Sequence, residues 1–469
     1  MKKTSIKRYT LAVALLTMGV AIQAQELNSA YFTQDYKYRH DLNPAFDNDQ
    51  GYVSIPILGN FNVKMQGNLG VKDFLFQNPA TGKYDRTFMH PDVSYGDAMS
   101  GFNSGANKIT TDIGLTLLSV GFKGFKGYNT IELRERTSIG VQLPYELFDF
   151  AKNLRNDNYQ FGTIGVNAVS FAELALGHSH QINKDLRVGA KLKLLMGVGR
   201  AELKVDGMQA NLTGDKWMLA SGTAEGEISL KGIQIPNKTD EYKNGTSYQH
   251  ADLGNIDVDG GGIGGFGLGI DLGAEYRIMD GLKVSAAIID LGFINWSNNI
   301  LLSQKSGKFE FDGFHDLAVK DEGAAPGSTF SEQRDNYADQ FTDFVNLQNK
   351  GDQGSKSTTL AATANVGVEY QLPMYKPLSF GLLGQHHFNG DFSWTEGRLS
   401  ANWTPLNWLD GGVNIAINNY CASAGWILNI HPKGFNFYIG MDHILGKTTK
   451  EFVPLSSNAN IALGMHITF

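Results

Sequence analysis

The last twelve residues, Asn458 to Phe469, constrain the fold more than any other stretch. Read back from the terminus, Phe469, Ile467, Met465, Leu463 and Ile461 fall on one face of a strand. Thr468, His466, Gly464, Ala462 and Asn460 fall on the other. The alternation has period 2, apolar against small or polar, and runs to the final aromatic. Soluble domains usually let a terminus fray. Two architectures accept such an ending: a membrane β-barrel, or the last strand of a secreted β-sandwich. A barrel requires the pattern to recur along the chain.

The start of the chain reads as an address rather than a fold. Lys2, Lys3, Lys7 and Arg8 precede an apolar run from Leu11 to Ala21, and Ala24 offers a small residue for cleavage before Gln25. Residues 1–24 are therefore expected to be a signal peptide. No later stretch approaches the ~18 consecutive apolar residues of a helical span.

Recurrence of the pattern is clear in the middle of the chain. Ile131, Leu133, Thr137, Ile139, Val141 and Leu143 share one face of a strand, with Glu135 as the one breach. Glu132, Arg134, Arg136, Ser138 and Gln142 share the other. Charges along a whole strand face need water, which a barrel lumen holds and a sandwich core does not. Past a turn at Asn183–Asp185, Leu186, Val188, Ala190, Leu192, Leu194, Met196 and Val198 alternate with Arg187, Gly189, Lys191, Lys193, Leu195, Gly197 and Gly199. Seven such apolar positions span roughly 40 Å, beyond a usual soluble strand and enough to cross a ~25 Å apolar band at a tilt. A second hairpin, Phe266–Trp296, turns at Met279-Asp280-Gly281.

Seven more strand-like segments follow Thr358. Counting from residue 52 predicts about fourteen strands, within twelve to sixteen. Residues 72–108 read as loop, and long polar loops are expected near 207–262 and 312–357. The second has Tyr337, Phe341, Phe344 and Gln348 at helical spacing. Pro56 argues against a central ladder position where the first strand should lie.

Composition agrees with this reading. Mean hydropathy is slightly negative at −0.22, as expected when half of each strand faces water. The 55 Gly, 28 Phe and 18 Tyr fit a crowded lumen wall and aromatic girdles. Cys421 stands alone, which excludes an intrachain disulfide framework and a Cys-rich metal site. A net charge of −7 with interspersed signs gives no footprint for nucleic acid.

Chemical motifs are weak. Gly262 to Gly267 matches G-x-G-x-x-G, but a period-2 strand follows it where a dinucleotide site needs a helix. His178 and His180 share a face without an evident third ligand, and His386 and His387 point to opposite faces. Asp257–Gly260 is a fragment of a calcium loop without its bidentate Glu. No G-x-S-x-G, H-E-x-x-H or carboxylate pair suggests catalysis. Neither an enzyme, nor a cofactor, nor a metal is expected.

Tyr38–Phe46 (YRHDLNPAF), Gly51–Gly70 and Asp271–Trp296 resemble the uncharacterised DUF5723 family of Bacteroidetes outer-membrane proteins, over essentially the whole mature chain. The closing strand resembles the assembly signal of bacterial outer-membrane barrels, with Phe469, Ile467 and Met465 carrying it. More distantly, Asn43-Pro44-Ala45 and the hairpin around Asn183–Asp185 resemble the FadL/PorV group of fourteen-stranded barrels. An N-terminal segment forms a hatch inside those barrels. FadL passes long-chain fatty acids, and PorV is a shuttle in type IX secretion.

The resemblance implies an all-β, antiparallel outer-membrane barrel over residues 51–469, with residues 25–50 as its hatch. Asn43, Pro44, Ala45 and Phe46 would shape that hatch; the alternative is that Pro44 and Ala45 merely form the turn into the first strand. The implied partners are outer-membrane lipid and the barrel assembly machinery. The implied function is passive transport of a small apolar molecule. A non-transporting barrel that binds secreted or surface proteins, or a structural envelope protein, is the alternative.

Overall fold

The computed structural model describes residues 27–469 apart from 57, 154–156, 214–215, 243–244, 305, 316–328 and 444–457. The proposed signal peptide lies outside the described residues.

Fourteen antiparallel strands close into a barrel. In chain order they begin with β1, in two pieces (Tyr52–Ser54 and Phe61–Gly67), β2 (Ala106–Gly124), β3 (Gly127–Pro144), β4 (Ile164–Gln181) and β5 (Leu186–Asp206). The wall continues through β6 (Gly265–Met279), β7 (Leu282–Trp296), β8 in two pieces (Lys356–Thr359 and Ala362–Gln371) and β9 (Leu378–Phe388). It ends with β10 (Trp394–Leu406), β11 (Leu409–Asn418), β12 (Ala422–Ile430), β13 (Asn436–Met441) and β14 (Ala459–Thr468). Each strand pairs with the next, and β14 returns to β1 with Tyr52 opposite Thr468 and Phe61 opposite Leu463. Closure gives every strand of the wall a partner on each side, which is what a bilayer interior demands.

The faces of these strands settle which solvent lies outside. On β14, Ile467 is 58% exposed and its neighbour His466 is fully buried. On β5, Leu192 is 61% exposed and Lys193 only 2%. Val413, Ile415 and Ile417 repeat the outward apolar row on β11, with Asn414 and Ala416 turned in. An apolar band around a whole molecule exceeds any patch a soluble monomer tolerates, roughly a few hundred Å². It fits lipid, with the charges inside. No helix among the described residues is long and apolar enough to cross a membrane.

The breach expected at Glu135 is present on the outer side of β3. Thr137 Oγ1 and Ser170 Oγ donate to its carboxylate at 2.8 and 3.2 Å, so two hydroxyls solvate it in place.

One end of the barrel has tight turns. Phe125 and Lys126 join β2 to β3 with φ of 53° and 60°, the two left-handed positions that a hairpin of this twist requires. Gly124 and Gly127 flank this turn, and Gly127 is held by space: a Cβ there would lie 2.1 Å from the Ser179 carbonyl oxygen. At the next turn Asn183 Oδ1 accepts from the backbone of Asp185 and of Leu186, both at 2.9 Å.

The other end carries the long connections. Thr223–Leu230, Ile300–Gln304 and Leu347–Asp352 raise the wall above the rim. The helix expected in the last loop spans Phe330–Val345, with Thr329 and Glu332 forming its N-terminal capping box. Gln348 lies beyond it, in the strand Leu347–Asp352.

Residues 72–108 are not a plain loop. They hold the hairpin Leu75–Gln77 with Tyr84–Thr87, and the helix Tyr95–Met99. Phe74, Phe88, Phe102 and Phe148 form their core, with the last two rings stacked at 3.9 Å. Pro56 falls in an interruption of β1: residues 55–60 stand between Ser54↔His466 and Phe61↔Leu463, so six residues oppose two of β14. Proline has no N–H for a ladder, and the chain leaves the ladder there.

Candidate functional site

The lumen is occupied by the chain's own N-terminal segment, from Leu27 to the start of β1. A 3₁₀ turn, Asn28–Ala30, and one turn of α-helix, Arg39–Leu42, are its regular parts, and every residue of both is buried.

The segment is held first at its start. The backbone N–H groups of Asn28 and Ser29 donate to the Asp442 carboxylate at 3.0 and 2.6 Å, and Ser29 Oγ donates at 2.7 Å. A carboxylate suits this position because the first N–H groups of a helical turn have no partner within it. Arg398 on β10 lies 3.6 Å from the same carboxylate and 2.6 Å from Glu396.

The second hold is an ionic layer across the middle of the lumen. Inward positions two residues apart on β3 supply Glu132, Arg134 and Arg136, while β4 supplies Glu173 and β5 supplies Lys191 and Lys193. Asp271 on β6 and Asp290 on β7 complete the wall's share. Arg134 bonds Asp41 of the segment at 2.7 Å and Glu173 at 2.6 Å. Lys191 bonds Asp41, and also Glu132 at 2.8 Å. Arg136 reaches Asp290 at 2.7 Å, and Lys193 reaches Asp290 and Asp271 at 2.6 and 2.8 Å. Burial alone would push the Asp41 carboxyl up, but Arg134, Lys191 and His40 together hold it well below the usual carboxylate range. His40 Nε2 meets the Tyr52 hydroxyl at 2.8 Å, which ties the segment to β1.

Asn43, Pro44, Ala45 and Phe46 all lie in the lumen against the wall. Asn43 Nδ2 donates to the carbonyl oxygens of Ala274 and Ala286, 3.3 Å each, which are cross-strand partners on β6 and β7. Its Oδ1 accepts from Ala45 N–H at 2.9 Å, closing a tight turn at Pro44. Gly273 and Gly189 let the segment approach: a Cβ on them would lie 2.0 Å from Asn43 Oδ1 and 1.9 Å from the Pro44 carbonyl oxygen. Phe46 packs edge-on to Tyr31 at 5.2 Å, and the Arg39 guanidinium sits 4.5 Å from its ring centre. These four residues therefore contact β5, β6 and β7 as well as leading toward β1.

Among the described residues, gaps beside the segment measure about 60 Å³, by Asp41 and Arg134, and about 10 Å³, by Pro44 and Phe46. Above the ionic layer, toward the long loops, lies a vestibule of about 570 Å³. Arg136, Asp290 and His387 line it at the layer; Asp112, Gln142, Asn167 and Arg200 line it higher up. Val169, Phe171, Ile294 and Leu360 give it one apolar flank.

The weaker sequence motifs find ordinary places. His178 bonds Asn129 at 2.9 Å beside the turn at 183–185, its ring tilted against that of His180, while Gly265 and Gly267 lie within β6. His387 turns inward and His386 bonds Thr395 at 2.8 Å outside. His40, Asp41 and Glu132 converge closely enough to suggest a cation site, but Lys191 already bonds all three. Sequence spacing could not reveal that group, because its members come from three distant segments.

Residues 44–442 match the model of a family of unknown function, DUF5723, and the chain belongs to that family. No curated protein matches it. Among solved structures it is similar to a mutant of the monoaromatic hydrocarbon channel TodX, at 9% identity and TM-score 0.41, covering 96% of this chain and 95% of that one. It is similar also to the Ralstonia pickettii toluene transporter TbuX, at 8% identity and TM-score 0.37, covering 96% of each. A Pseudomonas aeruginosa FadL homologue aligns at 9% identity and TM-score 0.35, covering 96% of this chain and 97% of that one. The barrel assignment rests on the strand register described above.

Proposed function

We propose that this DUF5723 protein is an outer-membrane barrel that is closed at rest, with residues 27–50 as its hatch, and that it works by binding at its loop side. The observation that carries this reading is the tie of Asp41 to Arg134 and Lys191 in mid-lumen. Leaving one partner of a buried ion pair without the other costs ~3–5 kcal/mol, which opposes withdrawal of the segment from the lumen.

The loop side supports a partner role. Phe311, Phe314, Phe330 and Tyr337 make mutual ring contacts there, and Phe314, Phe330, Phe341 and Trp217 are exposed. Exposed aromatics above an ordered scaffold suit recognition of a secreted or surface protein. Outer-membrane lipid surrounds the wall, and the barrel assembly machinery would read the Met465, Ile467 and Phe469 face of β14. The test is paired: conductance of the purified barrel in planar bilayers, and co-purification from native membranes after crosslinking. A closed barrel with a specific crosslinked protein supports this reading; steady open-channel conductance overturns it.

A second reading, passive transport of a small apolar molecule, draws on the apolar flank of the vestibule. It requires the hatch to move. Mass spectrometry of small molecules extracted from gently purified protein tests it, with an apolar ligand enriched over a control barrel as the supporting result.

A further inference from the structure

At the turn end of the lumen, on the side opposite the ionic layer, three side chains from three segments converge. Asp35 belongs to the N-terminal segment, Asp410 to β11, and His431 to the turn after β12. His431 Nε2 lies 3.7 Å from Asp35 Oδ2 and 3.6 Å from Asp410 Oδ1. One ligand atom from each residue can be chosen with all three within 4.8 Å of one another. His431 is only 7% exposed, and its Nε2 has no hydrogen-bond partner among the described residues although it is aimed between two carboxylates. A buried imidazole nitrogen left without a partner is costly and calls for an explanation.

We propose that Asp35, Asp410 and His431 form a divalent-metal site that clamps the N-terminal segment to the barrel wall. Zinc bonds to imidazole nitrogen and carboxylate oxygen are ~2.0–2.2 Å, which places tetrahedral donors about 3.3–3.6 Å apart. The two separations from His431 need to close by only a few tenths of an ångström. A His with two carboxylates leaves the fourth position for water. Asn429 Nδ2 donates to Asp410 Oδ1 at 2.7 Å, and Asp35 N–H donates to Asp410 Oδ2 at 3.3 Å, so the Asp410 carboxylate is oriented before any ion arrives. The Asp35 side chain is 26% exposed, which gives the ion a way in from the turn end. The bound ion would satisfy the His431 nitrogen and join residues 375 positions apart in the chain. Lys37 is the rival, a buried ammonium that feels the charge of Asp35 and Asp410. If it alone balances these carboxylates, no metal enters.

The full-length barrel, stripped with EDTA in detergent, is titrated with Zn²⁺, and bound metal is measured by elemental mass spectrometry against a control barrel. One equivalent per chain is expected. His431→Gln should weaken binding by at least about tenfold, since even outer partners of a metal ligand are worth that much. Asp35→Asn, at the most exposed of the three ligands, repeats the test where the fold is least at risk. Heat-modifiable migration identifies which variants still form barrels. Chelation of the wild type should also speed proteolysis within residues 27–50. No stoichiometric Zn²⁺ on the wild type, or an undiminished equivalent on a folded His431→Gln or Asp35→Asn barrel, overturns the proposal.

Discussion

Arg134, on β3, holds Asp41 of the N-terminal segment at 2.7 Å, and the same guanidinium holds Glu173 of β4 at 2.6 Å. One wall cation thus belongs at once to the barrel and to what fills it. Asp41→Asn keeps the shape and removes the charge. Lys191 would retain Glu132 and Arg134 would retain Glu173, so the cost should fall near the lower end of the buried-pair range, about 3 kcal/mol. Thermal melting in detergent reads the stability. Limited proteolysis reads whether residues 27–50 have loosened while the barrel stays heat-modifiable.

The same pair sets a pH dependence. Asp41 is held well below the ordinary carboxylate value of about 3.9. A carboxyl depressed by folding contributes stability that is fully present above its unfolded pKa and lost only as pH falls through its folded one. The segment should therefore stay docked at pH 4 to 5 and release only in stronger acid. Proteolysis with an acid-active protease across that range checks it, and release already at pH 5 would contradict the depressed Asp41.

Gly189 and Gly273 predict a different lesion. Alanine at position 189 would place a Cβ where the Pro44 carbonyl oxygen lies, with no flexible side chain to give way. Over-packing of this kind costs ~1–3 kcal/mol, and here it falls on the docking of the segment rather than on the strand ladder. Gly189→Ala should yield normal barrel with a protease-sensitive N-terminal segment, and raised conductance if the segment is the hatch.

What the sequence disclosed follows from the range of each interaction. The outward rows of β5 and β14 are local, since two-residue alternation writes a strand's face directly into the chain. Glu132, Arg134 and Arg136 were legible as lumen residues for the same reason. Their partners were not, because Asp41 meets Lys191, 150 positions along the chain, only after the strands between them have been folded into register. The aromatic core of Phe74, Phe88, Phe102 and Phe148 was hidden likewise, so residues 72–108 read as loop. Asp35, Asp410 and His431 carry no spacing signal at all. Pro56 was the exception, one residue whose missing N–H marked a break in β1.

Phe125 and Lys126 take left-handed backbone that costs a residue with a Cβ roughly 1–2 kcal/mol. Lys126→Gly should therefore stabilise the β2–β3 hairpin, by up to about 1 kcal/mol after the entropy glycine adds to the unfolded chain. A higher melting temperature with unchanged heat-modifiable migration is the expected result. A lower one would mean that the lysine side chain contributes more at this end of the barrel than its backbone costs.

Phe469 helps to join the first and last strands of the barrel. Its N–H donates to the Gly51 carbonyl and its carbonyl accepts from the Gly51 N–H, each at 3.0 Å, extending the β14–β1 ladder to the last residue. The ring itself points outward and is 69% exposed, at the end of the apolar row formed by Met465 and Ile467. Deleting Phe469 removes one hydrogen-bonded pair at the closing seam, worth about 1–3 kcal/mol, from a wall of fourteen strands. The finished barrel should tolerate that loss. Recognition of the outward row during insertion should not, because the aromatic is the part of the strand that reaches furthest into the surroundings. The level of heat-modifiable barrel in the outer membrane should therefore fall much more than the melting temperature of the barrel that does insert. Equal loss in both would make Phe469 a closure residue only, and normal levels would remove the terminal aromatic from assembly altogether.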